Sequence, residues 1–393
     1  MVSDKILAEK ISYKTGRGYW EINGKYFFNK AECLKYATEN KIFNSIKYNF
    51  FDSVYKSLDW TKEPTETLNE LYLKRALQLR DKYDYLILCF SGGSDSTNIL
   101  NTFLKNNIRL DEIYTVYPVS VIEKLLPQFD KNDNNEYNLI FEYVEAALPK
   151  LKEVSVTHPN IKITIDDSST RSIQFVESTS VDKLFFSGYM TSPTLSGQYM
   201  LAERLRSLAD KKKVAAICGL DKPRIIYDFN VKRFGAIFHD FNNFWGNVNI
   251  NGFEAITECF YLTPDMPTIT QKQSFQIKRK LLELANINGV ASLLSLGFVK
   301  NSSLIFDAHD EFFKRALYED WNSSVWQAKK TTSFFYMRQS NWFHRTNLTD
   351  SRIKDYYDGQ VKELLHGISS SLIEYKDEKP SMLKNFYTSP IWF

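Results

Sequence analysis

The feature that most constrains the fold of this chain is an apolar strand that ends in a short serine and glycine turn. Residues 85–90 read Tyr-Leu-Ile-Leu-Cys-Phe, and residues 91–96 read Ser-Gly-Gly-Ser-Asp-Ser. The apolar residues that follow have helical spacing, and they are Ile99, Leu100, Phe103 and Leu104. The sequence therefore predicts a buried strand, a glycine turn and a helix in direct succession.

This turn has the composition of an anion-binding loop. A helix that starts in the turn directs its first backbone N–H groups and the positive end of its dipole to one point. Gly92 and Gly93 would let a phosphate approach the backbone closely. The alternative is an ordinary strand–turn–helix connection, in which Ser and Gly are common. Three hydroxyls, two glycines and one carboxylate in six residues favour the phosphate site.

The same six residues exclude two common phosphate loops and resemble a third. They form neither a Gly-x-x-x-x-Gly-Lys-Ser/Thr loop nor a Gly-x-Gly-x-x-Gly dinucleotide turn. Residues 91–96 resemble the Ser-Gly-Gly-x-Asp-Ser PP-loop of the N-type ATP pyrophosphatases, a superfamily that includes the synthetase domain of asparagine synthetase. All six positions match this motif.

The resemblance implies an enzyme that cleaves ATP between its α and β phosphates, with ATP and Mg²⁺ as cofactors. AMP would be placed on a carbonyl or carboxyl oxygen of an acceptor, and a nitrogen or sulfur nucleophile would then displace it. The backbone of residues 92–96 and the hydroxyls of Ser91 and Ser96 would hold the pyrophosphate, and Asp95 would bind Mg²⁺. The alternative for Asp95 is a carboxylate that only interacts with the helix dipole.

A second predicted strand, residues 213–218, ends in a similar way. Gly219 follows it directly, and an acid and two bases come next. Lys222 and Arg224 would lie at the carboxyl edge of the sheet, where a pyrophosphate needs cations, and Asp221 would be a second Mg²⁺ ligand. The alternative is a turn with solvated charges. The match is looser here, because asparagine synthetase-like relatives have Gly-x-Gly-x-Asp-Glu after the corresponding strand.

Tyr117 ends another predicted strand, residues 112–117. The resemblance places the end of this strand beside the adenine of ATP, and a routine aromatic residue at a strand end is an equal alternative. The predicted nucleotide-binding residues are thus Ser91, Gly92, Gly93, Ser94, Asp95, Ser96, Tyr117 and Gly219. The predicted catalytic residues are Asp95, Lys222 and Arg224, and the predicted metal ligands are Asp95 and Asp221.

Residues 85–240 alternate strand and helix patterns, which is typical of an α/β fold with a parallel sheet and flanking helices. Ligands bind such sheets at the carboxyl ends of the strands. With the resemblance, we expect a five-stranded parallel sheet of the HUP or PP-loop type. The predicted strands are 85–90, 112–117, 161–165, 183–187 and 213–218, and the predicted helices are 95–106, 135–150, 170–179 and 194–209.

The two ends of the chain have other patterns. Asn23 and Gly24 predict a hairpin that a helix follows, and residues 65–82 predict an amphipathic helix capped by Thr65. From about residue 270 onward the apolar spacing of 271–297, 308–320 and 351–373 is helical. We expect a small α+β extension at 1–62, an ATP pyrophosphatase domain at 63–250 and an α-helical C-terminal region at 251–393.

Composition narrows the compartment and the partners. The formal net charge of +3 predicts neither a nucleic acid nor a membrane as partner. Without a signal peptide or a run of about 18 apolar residues, we expect a cytoplasmic protein. The four cysteines lie far apart in the sequence, which argues against a disulfide framework or a cysteine-rich metal site. They are Cys33, Cys89, Cys218 and Cys259.

These features favour an AMP-forming ligase for amide or amine formation, similar in kind to asparagine synthetase. Val2 stands where an N-terminal-nucleophile glutaminase would have Cys, so ammonia or an amine would come free, from a separate partner or on a second substrate. The acceptor would be a small molecule or a nucleotide. Two alternatives stay open: an enzyme that modifies nucleic-acid or nucleotide bases, although no RNA-binding module is visible, and a protein that binds ATP or AMP without catalysis.

Overall fold

The computed structural model describes residues 2–28, 30–42, 45–117, 119–125, 142–169, 195–209, 213–219, 222–239, 248–250, 253–300, 302–308, 311–321 and 387–393. The helices in these ranges are α1 (Val2–Thr15), α2 (Lys30–Asn40), α3 (Asp52–Tyr55), α4 (Leu68–Lys82), α5 (Ser94–Lys105), α6 (Val119–Leu125), α7 (Leu148–Thr157), α8 (Leu195–Ala209), α9 (Pro267–Asn288) and α10 (Glu311–Leu317), with a π-helix at Glu142–Ala147 and a 3₁₀ helix at Val290–Ser295. The strands are β1 (Tyr19–Ile22), β2 (Lys25–Phe27), β3 (Lys47–Asn49), β4 (Tyr85–Cys89), β5 (Glu112–Tyr117), β6 (Lys162–Asp167), β7 (Val214–Cys218), β8 (Arg224–Asp228), β9 (Arg233–Ile237), β10 (Val248–Ile250), β11 (Phe253–Ala255), β12 (Thr257–Cys259), β13 (Gly297–Lys300), β14 (Ser303–Asp307) and β15 (Ile391–Trp392).

Five strands form an all-parallel sheet in the order β12-β7-β4-β5-β6, with β4 at its centre. Leu86 and Leu88 belong to the main core together with Ile99 of α5. Ile87 belongs to a second apolar cluster, with Leu201 of α8. Helices therefore cover both faces of the sheet, which explains the continuous apolar run of β4. The predicted α/β class, with five parallel strands and flanking helices, is confirmed.

One strand of this sheet was not predicted. The edge strand β12 pairs in parallel with β7, and its three residues are too few to give a periodic pattern. The predicted strand at 183–187 and the predicted helix at 170–179 lie outside the described residues. Where the sequence predicted one helix at 135–150, the described part is the π-helix followed by α7, which continues to Thr157.

A second five-stranded sheet is antiparallel, in the order β13-β14-β8-β9-β15. The described part of the predicted helical region 251–393 is therefore not helical throughout. It contains α9 and α10, but the short strands β13 and β14 also lie in it and pair with each other in antiparallel orientation. Their four and five residues follow directly on a long helical pattern, which hides them in the sequence. The predicted helix at 351–373 lies outside the described residues.

The N-terminal part contains the predicted hairpin. Strands β1 and β2 pair around Asn23 and Gly24, and β3 joins β1 on its other side.

Helix α4 begins at Leu68, and its cap is Thr67, where the sequence predicted Thr65. The Thr67 side chain accepts from the Glu70 N–H at 3.2 Å, and the Glu70 carboxylate accepts from the Thr67 N–H at 2.7 Å. This pair of contacts is a capping box.

Glu112, the first residue of β5, attaches the sheet to α8. Its buried carboxylate accepts from Arg204 Nη2 at 2.7 Å, from Tyr85 OH at 2.8 Å and from Thr164 Oγ1 at 2.6 Å. Burial raises the pKa of Glu112, but hydrogen bonds from Arg204, Thr164 and Tyr85 outweigh it and hold the pKa below its usual value. The carboxylate lies at the amino edge of the sheet, away from the predicted site, so its role is structural.

Replacing this carboxylate tests its contribution to stability. We expect Glu112→Gln to lower the free energy of unfolding by about 3 kcal/mol at pH 7, because Arg204 loses its buried anion. The lowered pKa means that the carboxylate contributes fully above its unfolded pKa of about 4.3 and loses the contribution as the pH falls further. The difference in free energy of unfolding between wild type and Glu112→Gln, measured by urea unfolding, should therefore become smaller as the pH falls from 5 to 3.

The matched control is Glu283→Gln. Glu283 pairs with Lys280 at 3.1 Å, and its side chain is 52% exposed, so the loss should stay below about 0.5 kcal/mol. A loss for Glu112→Gln that equals the control, or one that grows as the pH falls, contradicts the role given to Glu112.

Candidate functional site

The turn between β4 and α5, residues 91–96, is called the Ser-Gly loop. Gly93 is the N-cap, so the first N–H groups of α5 have no partner inside the helix. The loop is held by its own hydroxyls: the Ser91 N–H donates to Ser96 Oγ at 3.3 Å, and Ser96 Oγ donates to the Gly93 carbonyl at 3.1 Å. The predicted strand, loop and helix are present. The Ser91 hydroxyl accepts from the Gly93 N–H at 3.3 Å. The hydroxyls of both serines, which are predicted to hold pyrophosphate, thus also hold the loop.

Gly92 is needed for a reason that the sequence did not show. Its φ is +74°, and a Cβ placed on it would lie 2.5 Å from the Ala147 nitrogen and 2.8 Å from the Ala147 Cα. The missing side chain of Gly92 therefore makes room for the last residue of the π-helix. The first backbone N–H groups of α5, which begins at Ser94, are the part of the loop suited to an anion.

The structure brings Asp95 of the Ser-Gly loop together with Lys222, which follows β7. Lys222 Nζ lies 2.7 Å from Asp95 Oδ1, and the Lys222 side chain is 0% exposed while that of Asp95 is 21% exposed. Two residues predicted as catalytic, 127 positions apart in the numbering, thus form one ion pair. A pair so nearly removed from water has strong electrostatic effects on its surroundings.

Two tyrosines that the sequence did not predict hold Asp95 in place. Tyr318 OH donates to Asp95 Oδ1 at 2.7 Å, and Tyr261 OH donates to the Asp95 carbonyl at 2.9 Å. The centroids of the Tyr261 and Tyr318 rings lie 5.5 and 5.6 Å from Lys222 Nζ. Burial raises the pKa of both phenols well above the usual value, and the Asp95 carboxylate adds to the effect. Both phenols therefore remain donors.

Tyr72 of α4 packs against the rings of both of these tyrosines. Its ring centroid lies 5.3 Å from that of Tyr261 and 6.4 Å from that of Tyr318. Its hydroxyl donates to the Leu317 carbonyl at 3.2 Å. The ion pair therefore rests on rings from three distant parts of the chain. The sequence could have indicated Tyr261 only by its position after the end of β12, a strand that was not predicted. Tyr318 lies in the predicted helical segment 308–320, but nothing in that pattern indicates its contact with Asp95.

The register of the two central strands brings the two predicted clusters together. β4 and β7 are parallel neighbours, with Leu88 opposite Ile217, so the Ser-Gly loop and Gly219 leave the sheet side by side. A Cβ on Gly219 would lie 3.1 Å from the Asp95 Cβ. Gly219 therefore packs directly against the loop, where its predicted role was nucleotide binding.

The remaining predicted residues have different outcomes. Tyr117 OH donates to the Ser91 carbonyl at 2.6 Å, and its ring lies 4.9 Å from that of Tyr143, so this residue anchors the Ser-Gly loop. Arg224 is the first residue of β8 and thus belongs to the antiparallel sheet. Asp221 lies outside the described residues.

Three of the four cysteines, far apart in the sequence, lie on neighbouring strands at the carboxyl edge. Cys259 of β12 is paired with Cys218 of β7, and Cys89 ends the adjacent strand β4. A hydrogen bond with Cys89, then burial, raises the pKa of Cys218 well above its usual value. A buried thiol of this kind is unreactive. Across the described ranges, no group of three or more His, Cys, Asp or Glu side chains is placed to hold a metal ion.

No protein-family model, curated protein or solved structure matches this chain. Within the part of the chain that the structure describes, no helix combines the length and the apolar composition required to cross a membrane.

The contact between Gly92 and Ala147 gives a test of the loop geometry. We expect Gly92→Ala to lower the free energy of unfolding by about 3 kcal/mol, from the left-handed φ and from overpacking against the backbone. Gly24→Ala is the matched control, because Gly24 has a φ of +77° and nothing within 4 Å of the added Cβ. It should lose only about 1 kcal/mol in the same urea titration. Equal losses would show that the Ala147 contact is unimportant.

Proposed function

We propose that this protein is an ATP pyrophosphatase that adenylates a carbonyl or carboxyl oxygen of an acceptor and releases pyrophosphate, as asparagine synthetase-like PP-loop enzymes do. The observation that carries the proposal is the buried ion pair between Lys222 and Asp95, 2.7 Å apart at the start of α5. Helix N-termini bind phosphates, and ligands of parallel α/β sheets bind at this edge.

An ordinary strand–turn–helix connection has no need for this lysine. Removing an ammonium group from water costs several kcal/mol, so a fully buried lysine beside a helix N-terminus is unusual for a plain connection. Lys222 carries this cost with a side chain that is 0% exposed. An ammonium held at the start of a helix is well placed to neutralise an anionic ligand, and the phosphates of ATP are such a ligand.

The residues of the site suit the charge that develops as pyrophosphate leaves. The N–H groups at the start of α5 and the Lys222 ammonium would stabilise that negative charge from two sides. Asp95 would orient Lys222 and serve as one carboxylate ligand of Mg²⁺, which commonly binds through one or two carboxylates and substrate phosphates. When bound, Mg²⁺ would supply further charge stabilisation. The roles of Asp221 and Arg224 stay predictions, as do the cytoplasmic location and the amine donor.

The test is the conversion of ATP to AMP and pyrophosphate by the purified chain with Mg²⁺. It is measured alone, with a small-molecule extract as the acceptor source, and with nucleotides or RNA. We expect turnover in wild type and a loss of at least about 100-fold in Asp95→Asn and in Lys222→Met. Lys222→Met removes a cation beside the leaving group, and Asp95→Asn removes the carboxylate that would orient Lys222 and bind Mg²⁺.

Lys272→Met is the matched control. Lys272 is also a buried lysine, and its Nζ lies 2.8 Å from a carboxylate oxygen of Glu63. Unlike Lys222, it belongs to helix α9 and donates to the Pro64 carbonyl. It should retain activity. The proposal fails if folded Lys222→Met and Lys272→Met form AMP at the same rate. Binding of ATP without AMP formation under any of these conditions would favour the non-catalytic alternative, and turnover that requires RNA or nucleotides would favour base modification.

A further inference from the structure

We propose that Lys222 is an internal counter-ion that keeps a divalent cation away from Asp95 until the phosphates of a nucleotide bind. This inference rests on the proposed function and adds an order of binding to it. The metal enters together with the nucleotide and does not bind the free protein. The contacts around Lys222 and Asp95 lead to this order.

The Asp95 carboxylate is already engaged by proton donors. Lys222 Nζ and Tyr318 OH each lie 2.7 Å from the same oxygen, Oδ1, and Ser94 Oγ donates to it at 3.4 Å. A divalent cation needs carboxylate lone pairs and is repelled by an ammonium group at such short range. As long as Lys222 stays in place, Asp95 is therefore a poor metal ligand.

Lys222 cannot move away into water. Its side chain is fully buried, and the rings of Tyr261 and Tyr318 lie within 6 Å of its ammonium group. A buried ammonium leaves a carboxylate only if another anion is close enough to replace it. Nucleotide phosphates at the start of α5 would be that anion.

The number of metal ligands that the protein offers also indicates that the cation binds together with the nucleotide. Asp95 offers a cation a single carboxylate, and the described ranges hold no cluster of three or more metal-ligating side chains. Phosphate oxygens would complete the octahedral shell that Mg²⁺ prefers. The binding of phosphates would therefore both draw Lys222 away from Asp95 and supply oxygen ligands for the metal.

Mn²⁺ binding followed by electron paramagnetic resonance tests this order, with and without α,β-methylene-ATP. We expect no tight Mn²⁺ site in wild type alone and one site with the nucleotide analogue. Lys222→Met should bind Mn²⁺ without nucleotide at least tenfold more tightly than wild type. The double variant Asp95→Asn with Lys222→Met should lose this gain, and Lys272→Met should behave as wild type.

Tight Mn²⁺ binding by wild type without nucleotide overturns the inference, whatever the variants do. A folded Lys222→Met with wild-type affinity for Mn²⁺ also overturns it, and Lys222→Gln replaces that variant if Lys222→Met does not fold. A third outcome separates the two proposals. If the analogue creates no site in wild type while Lys222→Met binds Mn²⁺ alone, the ATP proposal fails and the counter-ion role of Lys222 stands.

Discussion

The contact between a fully buried ammonium and a loop carboxylate sets the geometry of the whole carboxyl edge of the parallel sheet. Lys222 and Asp95 can meet at 2.7 Å only because β7 and β4 are parallel neighbours that end at the same level. The lack of a side chain at Gly219 lets the two chain segments touch. A change that shifts the register of these strands would separate the charges and leave one of them buried without its partner.

The parts of this structure that could be predicted are those with local signals. An apolar run, a glycine turn and helical spacing predict the strand, loop and helix around residues 85–105, all within about twenty residues. The hairpin at Asn23 and Gly24 has an equally local cause, because these two residues adopt the positive φ that the turn needs. Lys222 was also within reach, because it follows a predicted strand.

The rest depends on which segments become neighbours in space, which one sequence does not show. Tyr261 and Tyr318 reach Asp95 from just after a three-residue edge strand and just after the short helix α10. The strand has no periodic pattern, and the helical spacing of 308–320 predicts a helix there but not its contact with Asp95. The row of cysteines arises from strand order and is absent from sequence spacing. Gly92 stays a predicted site residue, and its contact with the backbone of Ala147 is a packing requirement that the sequence did not indicate. The sequence thus located the loop, and tertiary packing decided what touches it.

The strand β15 closes the antiparallel sheet from far along the chain. The Phe238 N–H donates to Thr388 Oγ1, 150 residues later, and β15 pairs with β9 beside this contact. Closing so long a loop is slow. Until it closes, β9 presents a row of unpaired backbone groups that a strand of another molecule can pair with. In the folded chain, residues 391–392 therefore cover an edge of β9 with which a strand of another molecule could otherwise pair.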